Sequence, residues 1–338
     1  MIKFGIIGLG HMGGYHLSAS RLLQGAQVVA VADQKEKNLL KAKDKNIITS
    51  HDYNEWIDQV DAVIIAVPTN LHYKIAKDCL SKGKHVLLEK PITKNLAEAT
   101  ELFEIAQTQN KALHIGHVER FNGAIQELKK IIKDPFLIES HRIGPFVSRV
   151  QQDSVIIDLM IHDLDLIINL VDAPVKNINV TANKIKTDMS DLAVVQLLFE
   201  NGTIANVVSS RVSQTKQRSM LIHQQNEFIK LDFTTQDIAI HKNPSDSVKI
   251  GKNQLNYKQE STIERLFVYK DNPLKLEIEH FINAIADNQN LFDAKQDLAA
   301  LQVTLKIEEL VREQFDDSSN IWNRKLAHTS MQKPDQLQ

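Results

Sequence analysis

The chain has 338 residues, and its 40 Lys and Arg against 42 Asp and Glu give a formal net charge of −2. This length indicates about two domains, and the balanced charge excludes a basic surface that would bind nucleic acid nonspecifically. Hydrophobic residues make up 43% of the chain and charged residues 24%, which is typical of globular proteins and excludes general disorder.

The first third of the chain alternates short apolar runs with helix-compatible segments. Strands are predicted at residues 2–7, 27–32, 62–67, 84–88 and 112–116, and helices at 12–23, 73–81 and 96–109. Such alternation is typical of parallel strands joined by right-handed helical crossovers. We therefore predict an α/β Rossmann domain with a doubly wound parallel sheet for residues 1–120.

The pattern changes to consecutive strands in the second part of the chain. Helices are predicted at 122–133, 155–170, 274–286 and 294–315, and strands at 136–143, 175–186, 191–199, 202–213, 218–223 and 227–233. Asn201-Gly202 is a hairpin turn signal. We predict an α+β domain at residues 121–315, with an open, mostly antiparallel sheet and helices on one face, followed by a polar C-terminal tail at 316–338. This domain is expected to bind substrate, and its sheet favours a homodimer or homotetramer.

The cysteine count and the hydropathy of the chain indicate the cellular compartment. Cys79 is the only cysteine, which excludes an intrachain disulfide or a thiolate metal cluster and fits a reducing compartment. The chain starts in an apolar strand without a charged leader and cleavage site, and no apolar run approaches the ~18 residues of a membrane span. We expect a cytoplasmic protein without membrane insertion.

A glycine-rich motif lies between the first strand and the first helix. Gly8-Leu9-Gly10-His11-Met12-Gly13 has the G-x-G-x-x-G spacing in which glycines permit a tight turn, close approach of a pyrophosphate, and helix–strand packing. The helix N-terminus also attracts negative charge. The motif predicts that Gly8, Gly10, His11, Met12 and Gly13 bind a dinucleotide; a glycine-rich turn without a ligand is the alternative.

Asp33 ends the second predicted strand, about 20 residues after Gly13. At this spacing a carboxylate can accept hydrogen bonds from the ribose hydroxyls and would repel a 2′-phosphate. This favours NAD over NADP, although Lys35 and Lys37 would weaken the preference. The alternative is a solvated residue that starts a turn.

A second turn follows the strand at residues 62–67, where ligands of open α/β sheets bind. We expect Pro68, Thr69, Asn70 and His72 to contact the cofactor. An ordinary turn and helix cap is the alternative interpretation.

Glu89-Lys90-Pro91 ends another predicted buried strand and faces the same crevice. The Lys90 ammonium group could hydrogen-bond a substrate oxygen and stabilise developing alkoxide charge. We predict that Lys90 is catalytic and that Glu89 and Lys90 also line the cofactor site. A surface ion pair after a strand is the alternative.

Asp158 and His162 are four residues apart in the apolar helix predicted at 155–170, which places them on one helix face. A histidine beside a carboxylate can act as a general base near neutral pH. A buried structural histidine is the alternative. Metal binding by Asp158, His162 and Asp165 lacks the spacings of zinc sites, so we predict no metal.

Together, the glycine motif, Glu89-Lys90-Pro91 and Asp158-x-x-x-His162 resemble the glucose-fructose oxidoreductase/inositol dehydrogenase/MocA family over nearly the whole chain to about residue 315. The resemblance implies an NAD(P)-dependent oxidoreductase of sugars, sugar nucleotides or cyclitols. It also implies that Lys90 contacts substrate and nicotinamide ribose, that His162 is the acid/base, and that Asp158 supports it.

Four segments, 117–122, 141–146, 158–163 and 209–213, resemble the branch of this family that oxidises the 3-hydroxyl of UDP-N-acetylglucosamine to a ketone in lipid A precursor synthesis. The glycine-rich run that commonly precedes Asp158 in the family is replaced here by residues 153–157. Arg120, Arg142 and Arg211 are candidates to bind the nucleotide diphosphate, because a guanidinium group binds phosphate oxygens in bidentate fashion. Each arginine could instead form a structural ion pair.

Two other functions remain open at this point. A dehydrogenase of a free sugar or inositol would leave the three arginines structural. A non-catalytic NAD-binding regulator would keep the Rossmann domain without turnover, although the presence of Lys90, Asp158 and His162 argues against it.

Overall fold

The computed structural model describes residues 1–42, 46–147, 152–250, 255–287 and 294–317. Residues 318–338 of the predicted polar tail therefore lie outside the described residues. The described strands form two sheets, of six and eight strands. In these ranges, no helix combines the length and the apolar character that a membrane span requires.

The six-stranded sheet, here called sheet A, is parallel and has the order β3-β2-β1-β4-β5-β6. Its strands are β1 (Ile2–Ile7), β2 (Ala26–Ala32), β3 (Ile48–Ser50), β4 (Ala62–Ile65), β5 (His85–Glu89) and β6 (Leu113–Gly116). Its helices are α1 (His11–Ser20), α2 (Glu36–Leu39), α3 (His72–Ser81) and α4 (Leu96–Thr108). The predicted doubly wound Rossmann sheet is confirmed. The strand order reverses at β1 and β4, so their carboxyl ends open the crevice where such sheets bind ligands.

The eight-stranded sheet, here called sheet B, has the order β14-β13-β12-β11-β7-β10-β9-β8. Its strands are β7 (Leu137–Ile143), β8 (Val175–Asn183), β9 (Leu192–Phe199), β10 (Ile204–Ser210), β11 (Gln217–Gln224), β12 (Glu227–Asp232), β13 (Asp237–Ile250) and β14 (Leu255–Arg265). All neighbours are antiparallel except β7 and β10, which confirms the predicted mostly antiparallel sheet. Gly202, with φ of 88°, turns the chain between β9 and β10 as expected.

One face of sheet B is covered by helices. Its helices are α5 (Gly123–Ile131), α6 (Ile161–Val171) and α8 (Ala294–Asp316). Residues of β9 alternate in burial: Val195 and Leu197 are fully buried in the core formed with these helices, whereas Val194 on the opposite face is 45% exposed. The described residues therefore leave the second face of β9 uncovered at Val194.

The last two described helices pack against both parts of the molecule. Helix α7 (Pro273–Ala286) places Ile278 and Phe281 in the core beneath sheet A, beside α1. Leu301 of α8 joins the core on the other side of sheet A, although α8 also covers sheet B. The domain boundary near residue 120 stays a prediction, because segments far beyond it complete the packing around sheet A.

Three strands and one turn were not predicted. Strand β3 has only three residues. Strand β14 is a largely polar sequence at the edge of sheet B, and β13 beside it begins with the buried residues Ile238 and Ile240 but continues into a polar run. The predicted helix at 155–170 begins as a π-turn at Ile156–Met160 before α6 continues it. This π-turn changes the geometry of the candidate active site.

Candidate active site

A cleft of about 790 Å³ lies between the carboxyl ends of the strands of sheet A and the inner face of sheet B. It brings together most of the residues predicted from the sequence. The sheet A side contributes Gly10, His11, Met12, Pro68, Thr69, Glu89 and Lys90, and the sheet B side contributes Arg142, Asp158, His162, Arg211, Lys216 and Arg218. A cleft of this size at a topological switch point is the usual location of a cofactor and substrate site.

The glycine turn has the shape that a dinucleotide requires. Gly8 has φ of +91°, and a Cβ atom on Gly13 would lie 1.8 Å from the Gly8 carbonyl oxygen, so both positions are needed for packing. A Cβ on Gly10 would have no neighbour within 4 Å among the described residues, and Gly10 faces the cleft. No side chain in the described ranges caps the first turn of α1. The open space and the uncapped amides fit a bound pyrophosphate.

Two alanine substitutions should separate these roles. Gly10→Ala is expected to fold normally and to bind NAD about tenfold more weakly or worse, because its methyl group occupies the ligand's space. Gly13→Ala is expected to lower the free energy of unfolding, because the new methyl group meets a backbone carbonyl. Thermal denaturation and NAD titration measure the two effects. Unchanged NAD affinity in Gly10→Ala would contradict this assignment.

Asp33 lies beside the glycine turn at the carboxyl end of β2. Its Oδ2 accepts a hydrogen bond from the Leu9 amide at 2.7 Å, and its Oδ1 accepts from the Lys35 amide at 2.8 Å and from Asn38 Nδ2 at 3.0 Å. These contacts fix the carboxylate, and Oδ2, which accepts one hydrogen bond, can accept one more. The position fits a ribose-binding residue, although Asp33 does not line the cleft itself.

The four residues predicted on the second turn divide into two groups. Pro68 and Thr69 line the cleft. Asn70 is exposed and lies outside the lining. His72 is also outside the lining and is buried, with Nδ1 at 2.8 Å from the Pro91 carbonyl oxygen and Nε2 at 2.9 Å from the Val67 carbonyl oxygen. His72 therefore joins the turn after β4 to the turn after β5.

Lys90 is held by the π-turn at Ile156–Met160. Its Nζ donates hydrogen bonds to the Asp158 carbonyl at 2.6 Å and to the Ile157 carbonyl at 3.3 Å. Burial lowers the pKa of Lys90, and the Asp158 carboxylate partly offsets that effect. The π-turn thus orients the ammonium group on the segment that carries Asp158 and leads to His162.

Glu89 is fixed by a residue that the sequence analysis did not identify. Its Oε1 lies 2.7 Å from Nε2 of His16 in α1, and both side chains are almost fully buried. The pair links the helix that follows the glycine turn to the strand that carries Lys90. A histidine in the middle of α1 gives no recognisable motif, so the contact could not be identified from sequence spacing.

His162 lines the cleft, and its Nδ1 is buried without a hydrogen-bond partner among the described residues. The pKa of His162 lies well below 6.5. Burial is the largest cause, and the positive charges of Lys90 and Arg142 lower it further. The ring is therefore neutral near pH 7 and can accept a proton. In the described part of the chain no hydrogen bond joins His162 to Asp158, although both line the cleft, because the π-turn alters the regular helical spacing on which that pairing was predicted.

Arg120 forms a buried ion-pair cluster outside the cleft lining. Its Nε lies 2.8 Å from Asp165 Oδ2, and its Nη2 lies 2.5 Å from Asp297 Oδ1. His117, Asp165 and Asp297 bring ligand atoms within 4.8 Å of one another, as a metal site would. The Arg120 guanidinium already binds both carboxylates, so the arrangement is an arginine cluster and we assign no metal to it.

Replacing Arg120 should therefore affect stability more than substrate binding. Arg120→Met leaves Asp165 and Asp297 as uncompensated buried carboxylates, and the free energy of unfolding is expected to fall by about 3–5 kcal/mol. Urea denaturation measures this loss. A raised KM for substrate with unchanged stability would instead favour the predicted phosphate contact.

Arg142 and Arg211 line the cleft but are also paired with carboxylates. Arg142 is 2% exposed and bonds Asp163 at 2.7 Å and Glu119 at 2.8 Å. Arg211 is 2% exposed and bonds Asp191 at 2.8 Å. Arg142 and Arg211 therefore form the structural ion pairs that were the alternative to phosphate binding. Their charges are largely compensated within the protein.

Lys216 and Arg218 line the cleft and were not identified from the sequence. Lys216 immediately precedes β11 and Arg218 is its second residue, so no strand periodicity in the sequence linked the two. Arg218 is also the direct cross-strand partner of Arg142.

Comparisons with known proteins agree with this geometry. Residues 2–117 match the model for the oxidoreductase family with an NAD-binding Rossmann fold, GFO/IDH/MocA, and residues 122–229 match the GFO/IDH/MocA C-terminal domain. The chain is 31% identical over 318 residues to the UDP-N-acetylglucosamine 3-dehydrogenase of Acidithiobacillus ferrooxidans, covering 92% of this chain and 99% of the relative.

The similarity extends to solved structures and to inositol dehydrogenases. A solved structure of the same Acidithiobacillus enzyme superposes with a TM-score of 0.83, covering 92% of this chain and 97% of that chain. The myo-inositol 2-dehydrogenase of Thermotoga maritima is 26% identical over 229 residues, or 62% of this chain and 69% of the relative. A scyllo-inositol dehydrogenase from Lactobacillus casei shares the fold, with a TM-score of 0.76 at 20% identity over 93% of this chain and 96% of that chain. The chain belongs to the GFO/IDH/MocA family of oxidoreductases.

Proposed function

We propose that the protein oxidises the 3-hydroxyl of UDP-N-acetylglucosamine to a ketone with NAD, and that the product serves lipid A precursor synthesis. The observation that carries the catalytic part is the presence of the Lys90 ammonium group and the His162 imidazole in one cleft with the glycine turn. The similarity to the Acidithiobacillus enzyme over nearly the whole of both chains supports the substrate.

The bound NAD would supply a hydride acceptor beside the glycine turn. Lys90 would hydrogen-bond the reacting hydroxyl oxygen and stabilise the negative charge that develops on it. His162, neutral near pH 7, would accept the proton of the reacting hydroxyl group, while the hydride leaves the carbon that carries this hydroxyl. The protein's contribution is to orient these two groups on one carbinol, and the π-turn supports it by fixing the Lys90 amine.

Isotope transfer tests the reaction and its position. UDP-N-acetylglucosamine carrying deuterium at C3 is incubated with the enzyme and NAD, and the reduced cofactor is analysed by mass spectrometry. We expect the deuterium in the cofactor with the C3 label and not with a C4 label. Reduction of NAD by myo-inositol or free N-acetylglucosamine alone would instead support the free-polyol dehydrogenase, and no reduction by any of them would support a non-catalytic regulator.

Asp33 supports NAD as the preferred cofactor. We expect Asp33→Asn to improve affinity for NADP about tenfold, because the charge that repels the 2′-phosphate is removed while an oxygen acceptor for the Leu9 amide is retained. Titration of both cofactors against wild type and variant measures the change. Equal NADP affinity in the two proteins would contradict a role for Asp33 in cofactor choice.

A homodimer or homotetramer through sheet B is part of the proposal. The open face of β9 and β10 carries Val194, which is 45% exposed, and Ile204, which is 38% exposed. Apolar residues on an uncovered sheet face favour packing against a second copy. Light scattering should give a mass of at least two chains, and a monomer at micromolar concentration would contradict this part.

A further inference from the structure

On the sheet B side of the cleft, two cations have no ion pair among the described residues. Arg142 and Arg211 are held by carboxylates, whereas the side chains of Lys216 and Arg218 have no ion pair or hydrogen bond within the described residues. Lys216 is exposed and Arg218 is half-buried. The free positive charge of the cleft wall formed by sheet B is therefore concentrated at the start of β11.

The position of Arg218 is unfavourable unless an anion binds there. Arg218 lies directly opposite Arg142 on the neighbouring antiparallel strand, so the two side chains occupy the same face. Like charges at such a pair are destabilising, and Asp163 and Glu119 are already engaged by Arg142. Burial and the Arg142 charge lower the pKa of Arg218, and the Glu119, Asp163 and Asp158 carboxylates only partly offset that effect.

An anion at Lys216 and Arg218 would belong to a ligand other than the cofactor. The pyrophosphate of a dinucleotide has its own place at the start of α1, on the sheet A side. Arg218 belongs to β11 of sheet B and Lys216 immediately precedes that strand, and both line the cleft together with Asp158 and His162. A lysine and a planar guanidinium two residues apart can together bind several oxygens of a diphosphate, which a neutral sugar does not offer.

We propose that Lys216 and Arg218 bind the diphosphate of a nucleoside-diphosphate sugar, an inference that rests on the proposed function. They take the role that the sequence analysis gave to Arg120, Arg142 and Arg211. The cation pair thereby distinguishes a nucleotide sugar from a free polyol.

The test uses the NAD-loaded enzyme and the variants Arg218→Gln, Lys216→Gln and Arg218→Lys. Lys230→Gln is the matched control, because Lys230 is an exposed lysine of the adjacent strand β12 and does not line the cleft. Calorimetric titrations with uridine, UMP, UDP and inorganic pyrophosphate separate base recognition from phosphate recognition. Thermal denaturation checks that each variant is folded, and the exposed Lys216 provides a variant that should not disturb packing.

We expect Arg218→Gln to weaken UDP and pyrophosphate binding about 10- to 100-fold and to leave uridine and NAD affinity unchanged. Lys216→Gln should have a smaller effect in the same direction, Arg218→Lys should recover part of the loss, and Lys230→Gln should match wild type. With UDP-N-acetylglucosamine, KM should rise while kcat at saturation changes less than about threefold, since the phosphate contact is the same before and during the reaction.

The possible results distinguish a failure of the phosphate assignment from a failure of the proposed substrate. Wild-type affinity for UDP and pyrophosphate in both glutamine variants, with UDP-N-acetylglucosamine still oxidised, would overturn the phosphate assignment alone. Loss of pyrophosphate binding in the variants, with no UDP-sugar oxidised by wild type, would support the anion site and overturn the proposed substrate. No binding of either probe by wild type would overturn the assignment of Lys216 and Arg218.

Discussion

Lys90→Met is expected to lower kcat about a thousandfold while the enzyme still binds NAD. The substitution keeps the length of the side chain but removes the ammonium group that lies 2.6 Å from the Asp158 carbonyl and faces the cleft. The developing alkoxide then loses its charged hydrogen-bond donor. Single-turnover reduction of bound NAD measures the chemical step separately from product release.

Lys94→Met is the matched control for this variant. Lys94 is four residues further along, is 58% exposed, and pairs with Asp153 at 3.4 Å, so its loss is expected to change kcat less than about twofold. Thermal denaturation of both variants distinguishes lost chemistry from lost folding. A Lys90→Met enzyme with nearly wild-type kcat would remove the ammonium group from the mechanism.

His162→Asn is expected to lower kcat/KM for sugar oxidation by about 10²- to 10⁴-fold, the usual contribution of a positioned general base. The reason is that the amide cannot accept the hydroxyl proton. His223→Gln, which changes a partly exposed histidine of sheet B outside the cleft, is expected to leave the rate unchanged. Equal losses in the two variants would argue against a specific role for His162.

The pH dependence gives a second, independent readout of the same pair. Because burial holds the pKa of His162 well below 6.5, activity should fall only as the pH drops below 6.5 through that pKa. Burial also lowers the pKa of Lys90 from 10.5, so activity should fall as the pH rises through the Lys90 pKa, at a pH below 10.5. His162→Asn should lose the acidic limb and keep the basic limb. An acidic limb that persists in His162→Asn would assign that titration to another group.

Much of the fold could be predicted because burial on sheet A imposes a strong local pattern. Strand β1 coincides with the predicted apolar run, and the residues of β4 are all buried, so each gives a clear signal. Strand β14, at the edge of sheet B, has a largely polar sequence and gave no such signal. Strand β13 beside it begins with the buried residues Ile238 and Ile240 but continues into a polar run. The packing of α7 against sheet A also has no local signature, because its partners in that core, such as Leu17 and Leu87, lie far away in the sequence.

The same distinction between local pattern and tertiary contact applies to the residues of the candidate site. Motifs at strand ends indicated Lys90 and the glycine turn, because the carboxyl ends of parallel strands meet at one edge. The pairing of Arg120 with Asp297, 177 residues away, depends on the tertiary fold and has no signature in spacing. The π-turn that brings the Ile157 and Asp158 carbonyls to Lys90 interrupts a segment whose apolar pattern is that of an ordinary helix. The tertiary fold therefore determines which arginines pair with carboxylates. It also determines which cations of the cleft have no ion pair among the described residues.

The most direct test of the account is a crystal structure of the enzyme with NAD and UDP-N-acetylglucosamine bound. The account predicts that C3 of the sugar lies over the nicotinamide, with its hydroxyl oxygen about 2.6–3.2 Å from both Lys90 Nζ and a ring nitrogen of His162. A sugar bound with C3 remote from the nicotinamide, or with either side chain directed away from the hydroxyl, would contradict the central claim.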